Sequence, residues 1–131
     1  MKYKKYNLQD VYDGEAQNKF NVISTFAGGG GSSTGYRLAG GKILCINEFV
    51  KEARNTYAEN YPNTPILPDD IKELTGQELL DAANIKVGEV DILDGSPPCS
   101  AFSMAGSVVR GGGHKDGYGK TKIYSDGKKV E

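Results

Sequence analysis

Cys99 is the residue best suited to covalent chemistry, and its neighbours explain why. It closes the run Pro97-Pro98-Cys99 inside Asp91-Ile-Leu-Asp-Gly-Ser-Pro-Pro-Cys-Ser-Ala-Phe-Ser-Met-Ala-Gly106. Ile92 and Leu93 read as the end of a buried strand that Gly95 breaks. The two prolines fix their own φ and bias Ser96 and Pro97 away from helix, so the thiol is expected on a stiff, extended loop. In open α/β sheets the carboxyl edge is where ligands sit. A cysteine held there is a candidate nucleophile, because attack needs fixed geometry as well as a thiolate. The plainer alternative is a structural loop cysteine.

Three further sets end successive predicted strands. Phe26-Ala-Gly-Gly-Gly-Gly-Ser-Ser-Thr-Gly35 is a glycine loop that would let a ligand approach the backbone, with a helix N-terminus favouring negative charge behind it. Glu48 stands 18 residues after Gly30, where an acid typically accepts from ribose hydroxyls. Its alternative is a solvated glutamate at a helix start. Asp70-Ile71 offers a carboxylate for an adenine amino group and an aliphatic chain for the ring. Nicotinamide dinucleotides and S-adenosylmethionine both satisfy the three sets. The glycines, at 28 to 31 and then 35, lack the Gly-x-Gly-x-x-Gly spacing of the dinucleotide loop.

The elements that must carry these groups alternate along the chain. Phe20–Ala27 is β-branched and aromatic, a first strand. Ser32 or Ser33 offers an N-cap for a short helix stopped by Gly40-Gly41. Lys42–Asn47 is a second strand, and a helix from Phe49 to Tyr61 follows, with Ala53, Tyr57 and Tyr61 on one apolar stripe. A short extended piece near Pro65–Leu67, a helix over Gln77–Asn84 and a strand over Glu89–Leu93 complete the order. That order predicts an α/β fold with a doubly wound parallel sheet. Residues 1–19 read as a polar N-terminal extension with a short helix around Leu8–Tyr12, and Lys2, Lys4 and Lys5 as a solvated terminus.

The 131 residues suit one domain, and a formal charge of −1 from 16 basic and 17 acidic residues gives no bulk signal for nucleic acid. The basic start has no apolar core behind it and is not a secretory signal. Cys45 and Cys99 are the only cysteines. They make neither a disulfide framework nor a metal-ligand cluster, and a reducing cytoplasm is the default. Cys45 reads as a core thiol and His114 as solvated. Beyond Ser107 the pattern dissolves into glycines among six basic and three acidic residues, a local charge of +3.

Here the motifs converge on a resemblance. Phe26-Ala-Gly-Gly-Gly-Gly31, Gly35-Tyr36 and Ala39-Gly40 resemble the cofactor loop of DNA (cytosine-5)-methyltransferases. Asn47-Glu48, followed by a helix ending Asn60-Tyr61-Pro62, looks like the family's ribose segment. Asp70-Ile71 is similar to its adenine-binding Gly-Asp-Ile, with Asp69 in place of the glycine. Gly95-Ser-Pro-Pro-Cys-Ser-Ala-Phe-Ser103 matches its nucleophile loop. The likeness covers about residues 20–120. Ser24-Thr25 and Ser96 give it the look of the phage and prophage branch.

The resemblance implies a Rossmann-like methyltransferase fold and S-adenosylmethionine as cofactor. Contacts to it are implied for Phe26, Ala27, Gly28, Gly30, Gly31, Glu48, Phe49, Asp70, Ile71 and Pro97. Cys99 is implied as the nucleophile on carbon 6 of a flipped cytosine in double-stranded DNA, with Pro98, Ser100, Phe102, Ser103 and Arg110 on the substrate side. The glycine-rich segment after Gly106 corresponds to the family's lid. The RNA-acting branch tends to carry Thr where Ser103 stands, which favours DNA. The family's Glu-Asn-Val segment, its Gln-x-Arg-x-Arg strand, the recognition domain and the closing helix are not found among these residues. The chain is therefore expected to be the amino-terminal half of a catalytic domain, inactive in isolation and open to complementation by a second polypeptide. A non-catalytic cofactor-binding remnant is the alternative. The expected setting is the cytoplasm of a bacterial or phage-infected cell.

Overall fold

The computed structural model describes residues 2–98 and the backbone of two short strands near the C-terminus. The chain divides into two units, residues 1–96 and 97–131. In the first, the elements run α1 (Leu8–Ala16), β1 (Phe20–Thr25), α2 (Gly31–Leu38), β2 (Gly41–Asn47), α3 (Lys51–Asn60), β3 (Ile66–Leu67), α4 (Gly76–Ala83) and β4 (Ile92–Gly95). In the second, β5 (Lys122–Ile123) pairs antiparallel with β6 (Lys129–Val130).

The four strands of the first unit form one parallel sheet in the order β3-β2-β1-β4. Side chains of α1, α2 and α3 cover one face, where Val11, Val22, Ile43, Ile46, Tyr57 and Tyr61 are buried together. On the other face, Ile23, Cys45 and Ala83 are buried with Leu79 and Ala82 of α4. Helices on both faces make the sheet doubly wound, as expected. The strand order reverses between β1 and β4, the kind of switch point where α/β ligands bind.

An irregularity in β2 decides which side chains face which way. Val22 pairs with Ile43, but Ile23 pairs with Cys45, so Leu44 is an extra residue. This bulge puts Leu44 and Cys45 on the α4 side and lets Ile43 and Ile46, three apart, join the same cluster.

The first helix runs on to Ala16, several other ends differ from the expectations by a residue, and four differences have a clear cause. The first strand stops at Thr25 rather than Ala27, because Phe26 leaves it with a left-handed φ of 51°. The cap of α2 is Gly30 at φ 102°, not Ser32 or Ser33, and no side chain caps it. α3 begins at Lys51 because Glu48 Oε1 accepts from the Val50 amide just ahead of it. The last strand begins at Ile92 rather than Glu89 and continues through Gly95, which pairs with Thr25 instead of breaking the strand. Its late start has a side-chain cause. Asn21 donates to Glu89 O at 2.9 Å and accepts from the Asp91 amide at 2.7 Å, while Asp91 Oδ2 accepts from the Asn21 amide. Side chains thus make the links a ladder would otherwise make.

The segment before residue 20 is part of the packing. Asn7 and Asp10 form a capping box that starts α1. Val11 is buried in the core, and a Cβ on Gly14 would stand 2.2 Å from Arg37 O. Glu15 Oε2 meets Arg37 Nε at 2.5 Å, and that arginine is fully buried. Arg37 Nη1 donates to Tyr57 OH at 3.0 Å and Nη2 to Thr64 Oγ1 at 2.7 Å, and its guanidinium lies 3.7 Å from the Tyr61 ring centroid.

Neutralising Glu15 would strand a buried cation. Glu15→Gln is expected to cost about 3 kcal/mol in urea unfolding. Adding Arg37→Met should recover part of that loss, because the pair is coupled. A Glu15→Gln protein as stable as the parent would show that Arg37 is neutralised by other means.

Candidate cofactor and catalytic site

The carboxyl ends of the four strands are sewn to one another by single hydrogen bonds. The Ala27 amide donates to Asn47 O at 3.2 Å, and the Glu48 amide to Leu67 O at 3.1 Å. Thr25 Oγ1 donates to Asp94 O at 3.0 Å. These links set the expected site residues along one edge.

The glycine loop turns sharply. Gly28 has φ 60° and Gly30 φ 102°, a region that costs an L side chain strain. Gly30 also has no room, since a Cβ there would stand 3.1–3.2 Å from the Tyr57 and Tyr61 rings. Below it, Gly30 O accepts both the Thr34 amide at 2.9 Å and Thr34 Oγ1 at 2.8 Å. The Thr34 hydroxyl also pairs with Tyr61 OH. Gly28 and Gly31, by contrast, have open space where a Cβ would stand. Phe26 and Ala27 are half-buried.

Glu48 is buried, at 8% exposure, yet both carboxylate oxygens are engaged. Oε2 accepts from the Gly28 amide at 2.7 Å and Oε1 from the Val50 amide at 2.9 Å. The acid is thus locked against the glycine loop, and each oxygen keeps a second lone pair for a ligand donor. Phe49 follows it, half-buried.

Asp70 and Ile71 lie in the turn after β3, both half-buried. Asp70 Oδ1 accepts from the Lys72 amide at 3.0 Å. The turn is tied to β2 by Asn47, whose Nδ2 donates to Leu67 O at 3.0 Å and Asp69 O at 2.8 Å. The glycine loop, Glu48 and the Asp70 turn therefore meet at one edge.

Pro97 and Pro98 are exposed and begin the second unit, and no peptide bond among the described residues is cis. Cys99, Ser100, Phe102, Ser103, Arg110 and His114 lie outside the described residues.

Two positioning groups were not anticipated from the sequence. Asn47 appeared only as Glu48's neighbour. Asp94 accepts from the fully buried Ser24 hydroxyl at 3.0 Å and from Tyr36 OH at 3.4 Å. It links the strand that leads to Pro97 with α2 behind the glycine loop. Burial, and then the Asp94 carboxylate, push the Tyr36 hydroxyl above the ordinary tyrosine range. An acid inside the apolar run Ile-Leu-Asp-Gly was the available signal. Cys45, as expected, is a core thiol, and burial pushes its pKa up to about 11. Among the described residues, no cluster of metal-ligating side chains and no helix long and apolar enough to cross a membrane is found.

A parallel α/β sheet with a helix-capped glycine loop after its first strand and a buried acid after its second is a nucleoside-cofactor architecture. Residues 20–124 match the C-5 cytosine-specific DNA methylase family, and the chain belongs to it. It is 39% identical over 85 residues to the Type II methyltransferase M.AquIA of Picosynechococcus sp., covering 65% of this chain and 34% of that protein. Against M.DdeI of Desulfomicrobium norvegicum it is 38% identical over 87 residues, covering 66% and 20%. The crystal structure of Spodoptera frugiperda DNMT2, an E260A/E261A/K263A mutant, superposes with a TM-score of 0.53 at 28% identity, covering 67% of this chain and 25% of that one. The chain thus spans about a third or less of the length of these relatives.

The Cys45 thiol sets a pH dependence. Its folded pKa near 11 exceeds the ordinary value of 9.0, so the unfolded chain ionises first as pH rises. Stability is fully present below about pH 8.5 and falls as pH climbs toward 11, by up to roughly 3 kcal/mol. Urea titrations between about pH 8 and 9.5 should show the start of the fall. Cys45→Ala should reduce it, the remainder coming from tyrosines such as Tyr57, whose hydroxyl burial also pushes up.

Proposed function

We propose that this chain is the amino-terminal part of a DNA cytosine-5 methyltransferase that binds S-adenosylmethionine between the glycine loop, Glu48 and the Asp70 turn. The observation that carries the reading is the buried Glu48 carboxylate clamped to the Gly28 amide. It presents two spare lone pairs beside a loop whose Gly28 and Gly31 leave open space. Ribose hydroxyls suit those acceptors. Asp70 suits an exocyclic adenine amine and Ile71 an aromatic face. Phe26, Ala27, Gly30, Phe49 and Pro97 complete the contacts. When bound, the cofactor supplies a methyl group on a sulfonium, a charged leaving-group arrangement that needs a strong carbon nucleophile.

Cys99 is proposed to create that nucleophile. Its thiolate forms an S–C6 bond to cytosine, and electron density moves to carbon 5. After methylation, loss of the carbon 5 proton expels the thiolate and restores the ring. The base must leave the duplex for this attack, with Pro98, Ser100, Phe102, Ser103 and Arg110 on its side of the site. A second polypeptide as partner for turnover and the cytoplasm as setting belong to the same proposal.

Calorimetry with S-adenosylmethionine tests the cofactor half. Glu48→Gln should weaken binding about tenfold by loss of charge-assisted hydrogen bonds, and should cost about 1–3 kcal/mol of stability because the glutamine NH2 then faces one of the two amides. The chain must therefore be shown folded at the temperature of the titration. No heat with the unmodified chain would end the proposal. For the chemistry, the chain mixed with a polypeptide carrying the remainder of a relative should methylate cytosine in duplex DNA. Cys99→Ser should abolish that turnover and leave cofactor binding unchanged.

A further inference from the structure

We infer that residues 2–6, Lys-Tyr-Lys-Lys-Tyr, form a DNA contact in which Lys2, Lys4 and Lys5 neutralise phosphates and Tyr3 and Tyr6 stack on an exposed base. The inference rests on the methyltransferase reading for the identity of the nucleic acid. Its physical basis lies in where this segment leaves the fold.

Helices α1 and α2 run side by side in the same direction. A Cβ on Gly14, the seventh residue of α1, would strike the carbonyl of Arg37, the seventh of α2. Their C-terminal ends meet as well, because the Lys19 amide entering β1 donates to Gly40 O leaving α2 at 2.9 Å. Both helices therefore end at the amino edge of the parallel strands and begin at the carboxyl edge. The first turn of α1 stands level with the first turn of α2, which opens on the glycine loop. Residues 2–6 thus emerge at the end of the sheet that carries the glycine loop, Glu48 and the exit of β4.

Their chemistry has no role in the core. All five are exposed, with Tyr3 88% and Tyr6 58% accessible, whereas Tyr57 and Tyr61 are buried. Three lysines in four residues make a concentrated positive charge on a chain whose net charge is −1. The nearest acids along the chain bond within their own helix, Asp10 accepting the Asn7 amide and Asp13 accepting from Gln9 Nε2. The ion pair found among the described residues, Arg37 with Glu15, involves none of the three lysines. Lysines that neutralise phosphates release counterions, and tyrosine rings stack on unpaired bases with little regard to sequence. The segment has no aliphatic side chain to enter a membrane. A reaction that takes a base out of its stack leaves its neighbours open to such rings.

The test uses the whole chain and labelled DNA, read by fluorescence anisotropy between roughly 50 and 200 mM salt. Replacing Lys2, Lys4 and Lys5 together by Gln should reduce the magnitude of the log affinity against log salt slope by about 2–3. Tyr3→Ala with Tyr6→Ala should weaken binding to a duplex carrying one unpaired cytosine at least about fivefold, and affect a fully paired duplex far less. An unchanged slope in the lysine variant, or no DNA binding by the unmodified chain, would overturn the inference. So would tyrosine variants that lose both duplexes equally, or an RNA hairpin bound more tightly than duplex DNA. Calorimetry with S-adenosylmethionine on the same variants keeps the two readings apart. Retained cofactor binding with an unchanged slope sinks the DNA contact alone, while absent cofactor binding in the parent sinks the methyltransferase reading.

Discussion

A single buried cation organises the face of the sheet on which the glycine loop rests. Arg37 is fully buried, and its guanidinium spends its donors on three separate elements: Glu15 of α1, Tyr57 of α3 and Thr64 in the loop before β3. Its flat surface lies on Tyr61. Only a planar, forked cation can do this, because a lysine ammonium offers no fork and no face to stack. The consequence travels upward. Tyr57 and Tyr61, held from below, press against Gly30 and leave no space for a Cβ, and Tyr61 engages the Thr34 hydroxyl that also binds Gly30 O. The left-handed turn of the loop is therefore fixed by an ion pair one helix away.

That dependence gives α1 a role that the family match does not convey. The match begins at residue 20, yet the carboxylate neutralising Arg37 comes from residue 15. Glycine at position 14 permits it, since any side chain there would meet the Arg37 carbonyl and push the helices apart. Glu15 also accepts the Ile43 amide at 3.3 Å, so the same acid steadies the start of β2.

The element order, and the placing of the glycine loop, Glu48 and the Asp70 turn after successive strands, were legible in the sequence because they depend on local signals. Glycine and proline punctuate the elements, and β-branched runs mark β1 and β2. What stayed hidden depends on partners far along the chain. The bulge at Leu44 leaves no trace in a run of apolar residues, because both faces of β2 are buried and alternation is lost. The start of β4 moved because Asn21, some seventy residues earlier, makes its first links by side chain. The cap of α2 was misassigned to serine because nothing local says that two tyrosine rings lie against Gly30. The first 19 residues looked detached because α1 is mostly polar, and only Val11, Gly14 and the Glu15 ion pair reveal its packing.

The bulge also bears on the site. Without the extra residue at Leu44, the last three side chains of β2 would exchange faces, since a one-residue slip turns every side chain over. Ile46 would leave the tyrosine cluster and Asn47 would turn toward it. As built, Asn47 reaches the carbonyls of Leu67 and Asp69 and steadies the turn that carries Asp70. Glu48, one residue on, closes against the Gly28 amide. An acid already desolvated and already aimed would need no reorganisation to accept the ribose hydroxyls proposed for it, so little of the binding free energy of that contact would go into ordering the receptor. The buried carboxylate is thus tolerable because two backbone amides satisfy it, and those amides leave half its lone pairs unclaimed.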